Sequence, residues 1–163
     1  MKDIKLHKRL LELLYSHKEE HVGSCFTCID IIDDIFKENG IYCSTGSLGS
    51  GIIIAVGRAL ANPNRTVHVT LSDGECAEGC VWEALRFIED YGLKNIKVHV
   101  NCNGWACYDI IDVNKLELRL KSFLPNIHIH RTNFNMLSFL KGLDSHYMIL
   151  NNEQYEQGLK ELS

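Results

Sequence analysis

The sequence predicts an α/β fold, a parallel β-sheet flanked by helices, and three observations carry that prediction. Residues 66–71 (TVHVTL) and 95–100 (NIKVHV) are short runs rich in β-branched residues that read as strands. Between them, residues 78–91 place Val81, Ala84, Leu85 and Ile88 at helical spacing. A strand, one helix and a second strand form a crossover unit, which makes the two strands parallel neighbours.

The remaining elements follow in chain order. Residues 3–18 carry Ile4, Leu10, Leu11, Leu14 and Tyr15 on a helical stripe. Residues 27–36 read as a second helix, with Thr27 as N-cap, Asp30 in the positive first turn and Glu38-Asn39-Gly40 as its end. The loop Gly46-Ser47-Leu48-Gly49-Ser50-Gly51 opens an apolar helix over 52–61 and implies close approach of something to its backbone. Beyond the second strand, 113–123 reads as a helix, 127–130 as a short strand, and 134–140 and 153–162 as helices. No linker, repeat or low-complexity run interrupts the 163 residues, so one domain over 1–163 is expected.

Composition excludes several classes of function. The chain is 45% hydrophobic and 23% charged, as a packed globular core requires. Its net charge of -4 lacks the basic footprint of nucleic-acid or anionic-membrane binding. No apolar run approaches the roughly 20 residues that span a bilayer. The N-terminus, MKDIKLHKRLLELLYSHKEE, interleaves charges throughout, unlike a secretory signal, and a soluble cytoplasmic protein is expected. Six of the seven cysteines form close pairs (Cys25 and Cys28, Cys76 and Cys80, Cys102 and Cys107), with Cys43 left over. A zinc or iron–sulfur site is one reading of that spacing. Reduced thiols packed as small residues are the expectation without a secretory signal.

Ligands of open parallel sheets bind at the carboxyl ends of the strands. Both strands here end in polar turns, Ser72-Asp73-Gly74-Glu75 and Asn101-Cys102-Asn103-Gly104. Asp73 and Asn103 lie 30 residues apart, yet a crossover brings them side by side. A carboxylate and an amide oxygen together suit a hard cation, Mg2+ or Ca2+. Gly74 lets the backbone approach closely, and the following helix offers free N–H groups to a phosphate. Residue chemistry alone thus points to a metal-bridged diphosphate, with two ordinary β-to-α turns as the competing reading.

The run from Leu71 to Ala84 (LSDGECAEGCVWEA), followed by Asn103-Gly104, resembles the thiamine-diphosphate motif of transketolases. The upstream Thr45-Gly46-Ser47-Leu48-Gly49-Ser50-Gly51 resembles that family's T-G-S-L-G-Q-G, and His21-Val22-Gly23-Ser24 is similar to its G-H-P-G-G. Leu137-Ser138-Phe139, His146 and residues 152–157 (NEQYEQ) resemble the end of the family's N-terminal, diphosphate-binding half. The resemblance implies thiamine diphosphate and Mg2+ (or Ca2+) as cofactors. Asp73, the Asn103 side chain and the Trp105 carbonyl would ligate the metal. Gly74 and Glu75 would present backbone to the diphosphate, and Ser72, standing where the family has glycine, would put a side chain beside it. Gly46 and Leu48 would line the cofactor's ring region, and His146 would reach the diphosphate. His21 would face the reacting carbons, while Glu78 and Glu83 match acidic residues that link two active sites across a dimer interface.

The implied reaction is transfer of a two-carbon ketol unit from a ketose to an aldehyde acceptor, a small sugar or sugar phosphate. Its activating glutamate lies in the family's pyrimidine-binding domain, so the resemblance implies a separate pyrimidine-binding C-terminal subunit, in a homodimer or heterotetramer. The departures are specific. Only residues 37–43 occupy the place of a long family segment containing an S-K-G-H motif, and a second contraction follows Asn114. The alternatives are another thiamine-diphosphate reaction, 2-oxo-acid decarboxylation, or a non-catalytic remnant acting as a binding or regulatory subunit. The E-G-x-x-W-E pattern of residues 78–83 and the glycine loop favour the transketolase side over the former. The joint retention of Asp73 and Asn103 argues against the latter.

Overall fold

Three parallel strands lie in the order β1 (Val67–Ser72), β2 (Ile96–Cys102) and β3 (His128–Arg131). The computed structural model describes residues 3–37 and 40–163. Leu71 pairs with Val100 and His99 with His128, so the expected crossover is present. Seven helices accompany the strands among the described residues: α1 (Ile4–His17), α2 (Val22–Phe36), α3 (Ser50–Ala61), α4 (Gly79–Asp90), α5 (Val113–Phe123), α6 (Asp144–Tyr147) and α7 (Asn152–Glu161). The fold is α/β, as the sequence predicts.

Alternation along the strands divides the sheet into two unlike faces. Val67, Val69, Leu71, Val98 and Val100 join Ile52 of α3, Val81 and Leu85 of α4 and Leu120 of α5 in one apolar cluster. The opposite face carries His68, Thr70, His99, Asn101, His128 and His130. His68 Nδ1 lies 3.1 Å from His99 Nε2, and His99 Nδ1 lies 3.1 Å from His130 Nε2. A second apolar cluster joins α1 and α2 to the C-terminal third through Leu11, Phe26, Leu137, Leu150 and Leu162.

Two elements differ from the sequence reading. Helix α2 begins at Val22, five residues before the expected Thr27, which therefore sits inside the helix. Val22 and Phe26, both 0% exposed and four residues apart, extend the buried stripe backwards and carry the helix with it. Gly23 permits this, since a Cβ there would stand 2.6 Å from Ser145 Cβ. Residues 134–140 form successive turns rather than a helix. Phe134, Leu137 and Leu140 are buried at the anticipated spacing, but Asn133 Oδ1 captures the Asn135 N–H at 2.9 Å and competes with helical bonding. Of the expected end of α2, Glu38 and Asn39 lie outside the described residues, while Gly40 has φ +66° and donates to Phe36 O at 2.7 Å.

Candidate functional site

The ends of β1 and β2 are fastened to one another around Asp73. Its carboxylate is 2% exposed, accepting from Gly74 N at 3.0 Å through Oδ1 and from Gly104 N at 2.7 Å through Oδ2. The Asp73 N–H donates to Asn101 O at 3.0 Å. Gly104 has φ +87°, a left-handed conformation that glycine adopts without strain and that turns its N–H onto Asp73. Burial pushes the Asp73 carboxyl up to about 6, against the lowering effect of the Gly104 and Gly74 hydrogen bonds. Among the described residues it forms no ion pair. A buried carboxylate without a counter-charge is a place where a cation relieves an electrostatic cost.

Asn103 follows β2, and its Oδ1 accepts the Trp105 N–H at 2.9 Å. Asp73, Asn103 and the Trp105 carbonyl offer a carboxylate, an amide and a backbone oxygen, the donor chemistry of Mg2+ or Ca2+. These residues fit a hard cation. Among the described residues no three His, Cys, Asp or Glu side chains group to hold a metal ion. Burial pushes the Cys28 and Cys102 thiols up to about 12 and raises Cys25 and Cys76 as well, which suits packed, protonated thiols.

The glycine loop meets this site through Glu75. Gly49 N donates to Glu75 Oε1 at 2.6 Å, Ser72 N to Oε2 at 3.4 Å, and Glu75 N to Ser72 Oγ at 3.0 Å. The close approach implied by the glycines is thus partly within the chain: Gly49 has φ +80°, and a Cβ there would stand 2.2 Å from Cys80 Sγ. The N–H groups of Gly74 and Glu75 are engaged by Asp73 Oδ1 and Ser72 Oγ. Leu48 is 51% exposed, and a Cβ at Gly46 would meet nothing within 4 Å. A groove of about 800 Å3 runs between α2, α3 and β1, bordered by Thr45, Leu48, Glu75, Phe36 and Ile54. A cavity of about 450 Å3 opens beside Asp73, with Trp82, Lys115 and Arg119 in its wall.

Two further expected residues meet at the start of α2. His21 takes a left-handed conformation (φ +61°), and its N–H donates to His146 O at 3.0 Å. The two rings stand edge-to-face with centroids 6.0 Å apart. His146 is 4% exposed, with Nε2 3.2 Å from Ser24 Oγ and Nδ1 buried without a hydrogen-bond partner among the described residues. Burial first, and then His21, lowers its pKa. Thr27 lies six residues along from His21, on the order of 9 Å at 1.5 Å rise per residue. Its Oγ1 receives Asn103 Nδ2, so α2 spans from the histidine pair to the strand ends. Glu78 and Glu83 are exposed at the start of α4, and Glu78 lies beside the glycine loop, its Cβ 3.3 Å from where a Cβ on Gly49 would stand.

The sequence reading overlooked the Glu75 side chain, Asn101 and Thr27. Asn101 was accessible to it, since the two-residue period of a strand puts Asn101 and Asn103 on one side of β2. Nothing local marks Thr27, whose partners lie 74 and 76 residues away.

No family model matches the chain. It is similar to one of the subunits of an apulose-4-phosphate transketolase from Actinobacillus succinogenes, 36% identical over 101 residues (56% of this chain, 36% of that protein). The protein of the same name from Phocaeicola vulgatus is 26% identical over 161 residues, covering 76% of this chain and 57% of the relative. The 6-deoxy-6-sulfo-D-fructose transketolase subunit SqwG of a Clostridium species is 46% identical over 75 residues (43% and 27%). The chain therefore spans from about a quarter to little more than half the length of these relatives. The likeness to transketolase subunits read from the motifs is present in these matches.

Proposed function

We propose, from the premise that this chain is transketolase-like in sequence, that its 163 residues form the diphosphate- and Mg2+-binding domain of a split thiamine-diphosphate enzyme. The enzyme transfers a two-carbon ketol unit from a ketose to an aldehyde acceptor, with a separate pyrimidine-binding subunit completing each site. The observation that carries this reading is the buried Asp73 carboxylate, paired with no cationic side chain among the described residues and held against the Asn103 turn. The relatives' names support the partner, since each describes its protein as a subunit.

In this reading Asp73, Asn103 and the Trp105 carbonyl would hold the metal, whose charge would offset that of the diphosphate. Thiamine diphosphate bound there supplies a nucleophilic carbon and an electron sink for cleaving a bond next to a carbonyl. The chain's own work is placement and charge. Ser72 and Glu75 tie the glycine loop to β1, so Gly46 and Leu48 form one wall for the cofactor's rings. His21, anchored through its N–H by His146, presents a ring able to hold or release a proton beside the substrate. Glu78 and Glu83 face outward, ready for burial against a second chain. Exposed Ile53, Ile54 and Leu60 of α3 supply apolar surface for such an assembly.

The experiment is calorimetric titration with thiamine diphosphate and Mg2+, on this chain alone and with a co-expressed pyrimidine-domain subunit. Binding that requires Mg2+ and tightens with the partner is the expected result. Absence of binding under both conditions would leave a non-catalytic role as the better account.

A further inference from the structure

Beneath the two strand ends, Thr27, Asn101 and Asn103 share one hydrogen-bond network. Thr27 is 1% exposed. Its Oγ1 receives Asn101 Nδ2 at 3.0 Å and Asn103 Nδ2 at 3.3 Å, and donates to Ser24 O at 3.0 Å. At the far side Asn101 Oδ1 receives the Thr132 hydroxyl at 2.6 Å, and Asn103 Oδ1 receives the Trp105 N–H at 2.9 Å.

A backbone donor sets the orientation of the Asn103 amide, and the Thr27 hydroxyl agrees with it. A threonine hydroxyl has one proton and two lone pairs, and a backbone N–H can only donate. With its proton on Ser24 O, Thr27 accepts from both asparagines, the arrangement in which both turn their Nδ2 toward it. Trp105 N–H independently demands an oxygen at the other end of Asn103. That oxygen keeps a second lone pair. It also sits on the turn whose Gly104 N–H holds Asp73 Oδ2.

We infer that Thr27 is the positioning residue of the cation site: its hydroxyl locks the Asn103 amide so that Oδ1, and not the NH2 group, faces the metal. This rests on the metal reading above and adds a residue to it. Without the hydroxyl the amide loses one of its two anchors. The Trp105 N–H alone then holds Oδ1, and the amide plane is free to swing away from the direction a cation needs.

The test uses Mn2+ as probe, its free concentration read by electron paramagnetic resonance in the presence of thiamine diphosphate. The proteins are the wild-type chain, Thr27→Val, Thr27→Ser and Thr132→Val, with melting curves confirming that each folds. Thr27→Val keeps the shape and loses the hydroxyl, so Mn2+ affinity should fall about tenfold, as expected for one lost hydrogen bond to a ligand. Thr27→Ser restores the hydroxyl, and Thr132→Val cuts the same network on the side away from Asn103. Both should bind Mn2+ within about threefold of wild type, less than one hydrogen bond's worth. If Thr27→Val does not fold, Thr27→Ala, which buries no new methyl group, takes its place. Wild-type affinity in the hydroxyl-free variant, or an equal loss in Thr132→Val or Thr27→Ser, overturns the role of Thr27 alone. Wild type that takes up no Mn2+, alone or with the co-expressed pyrimidine-domain subunit, overturns the metal reading and this inference with it.

Discussion

Asp73 Oδ2 accepts the Gly104 N–H at 2.7 Å, so the turn leaving β2 is fastened to the residue that follows β1. The bond joins positions 31 residues apart in sequence and makes two β-to-α turns into a single site. A carboxylate in that place satisfies two buried backbone donors and, in the proposed reading, would also hold the negative charge that a cation offsets.

Replacing Asp73 by Ala separates those two roles. Gly74 and Gly104 lose their acceptor, while the cost of burying a charge disappears. A net destabilisation of about 1–2 kcal/mol is expected, well short of unfolding a domain of this size. Mg2+-dependent binding of thiamine diphosphate should vanish. Urea unfolding and calorimetry on the same sample report both, and undiminished cofactor affinity would falsify the metal assignment.

Gly49→Ala should be among the most damaging loop substitutions, since Gly49 is buried. Its φ of +80° disfavours any side chain, and the new Cβ collides with Cys80 Sγ at 2.2 Å. A loss of about 2–3 kcal/mol is expected from strain and overpacking together. Adding Cys80→Gly should recover the collision part and leave about 1 kcal/mol of backbone strain. Thermal melts of the two single variants and the double variant close the cycle, and strictly additive effects would contradict the contact.

Glu75 is the clasp between the glycine loop and β1. Glu75→Ala removes the acceptor of the Gly49 N–H, so that amide should exchange with solvent at least about tenfold faster, the effect of roughly 1.4 kcal/mol of lost protection. Amides in the centre of β2 serve as the reference. Equal acceleration there would mean global destabilisation rather than release of the loop.

His99 predicts the acid side of the stability curve. It is 7% exposed, and burial, followed by the neighbouring His128, His130, His68 and Lys97, pushes its pKa down from 6.5 to about 4. His68 is shifted the same way. The unfolded chain therefore binds more protons than the folded one between about pH 6.5 and 4, and stability falls as pH falls through that window. The His99 share is on the order of 2 kcal/mol, fully lost near pH 4, with no slope from it above pH 7. Urea midpoints measured from pH 7.5 to 4.5 should show the decline, and His99→Gln should flatten it. A slope unchanged by that substitution assigns the proton uptake elsewhere.

Local pattern made most of the fold legible. The 66–71 and 95–100 alternation, the helical stripe of 78–91 and the polar strand ends all stand in the sequence, because period and turn chemistry are short-range properties. Asp73 and Asn103 can be paired from the residue order, since one crossover unit puts both strand ends on one edge. The misread segments failed for a shared reason. Residues 134–140 carry a helix-like burial pattern yet bury it through turns, and Thr27 has a capping residue's chemistry but lies inside a helix whose start is set by Val22 and Phe26 packing on distant residues.

What the amino-acid order already contained, then, was the class of fold, the strand-end carboxylate and amide, and the family likeness of the motifs. Three-dimensional packing added the relations no window of sequence can hold. Glu75 clasps Gly49, His146 anchors His21, and one buried hydroxyl of Thr27 serves two asparagines more than 70 residues away. A side chain's donor and acceptor count is written in the sequence, but its partners are chosen by burial, which leaves each polar atom only the neighbours that the packed chain brings within about 3 Å.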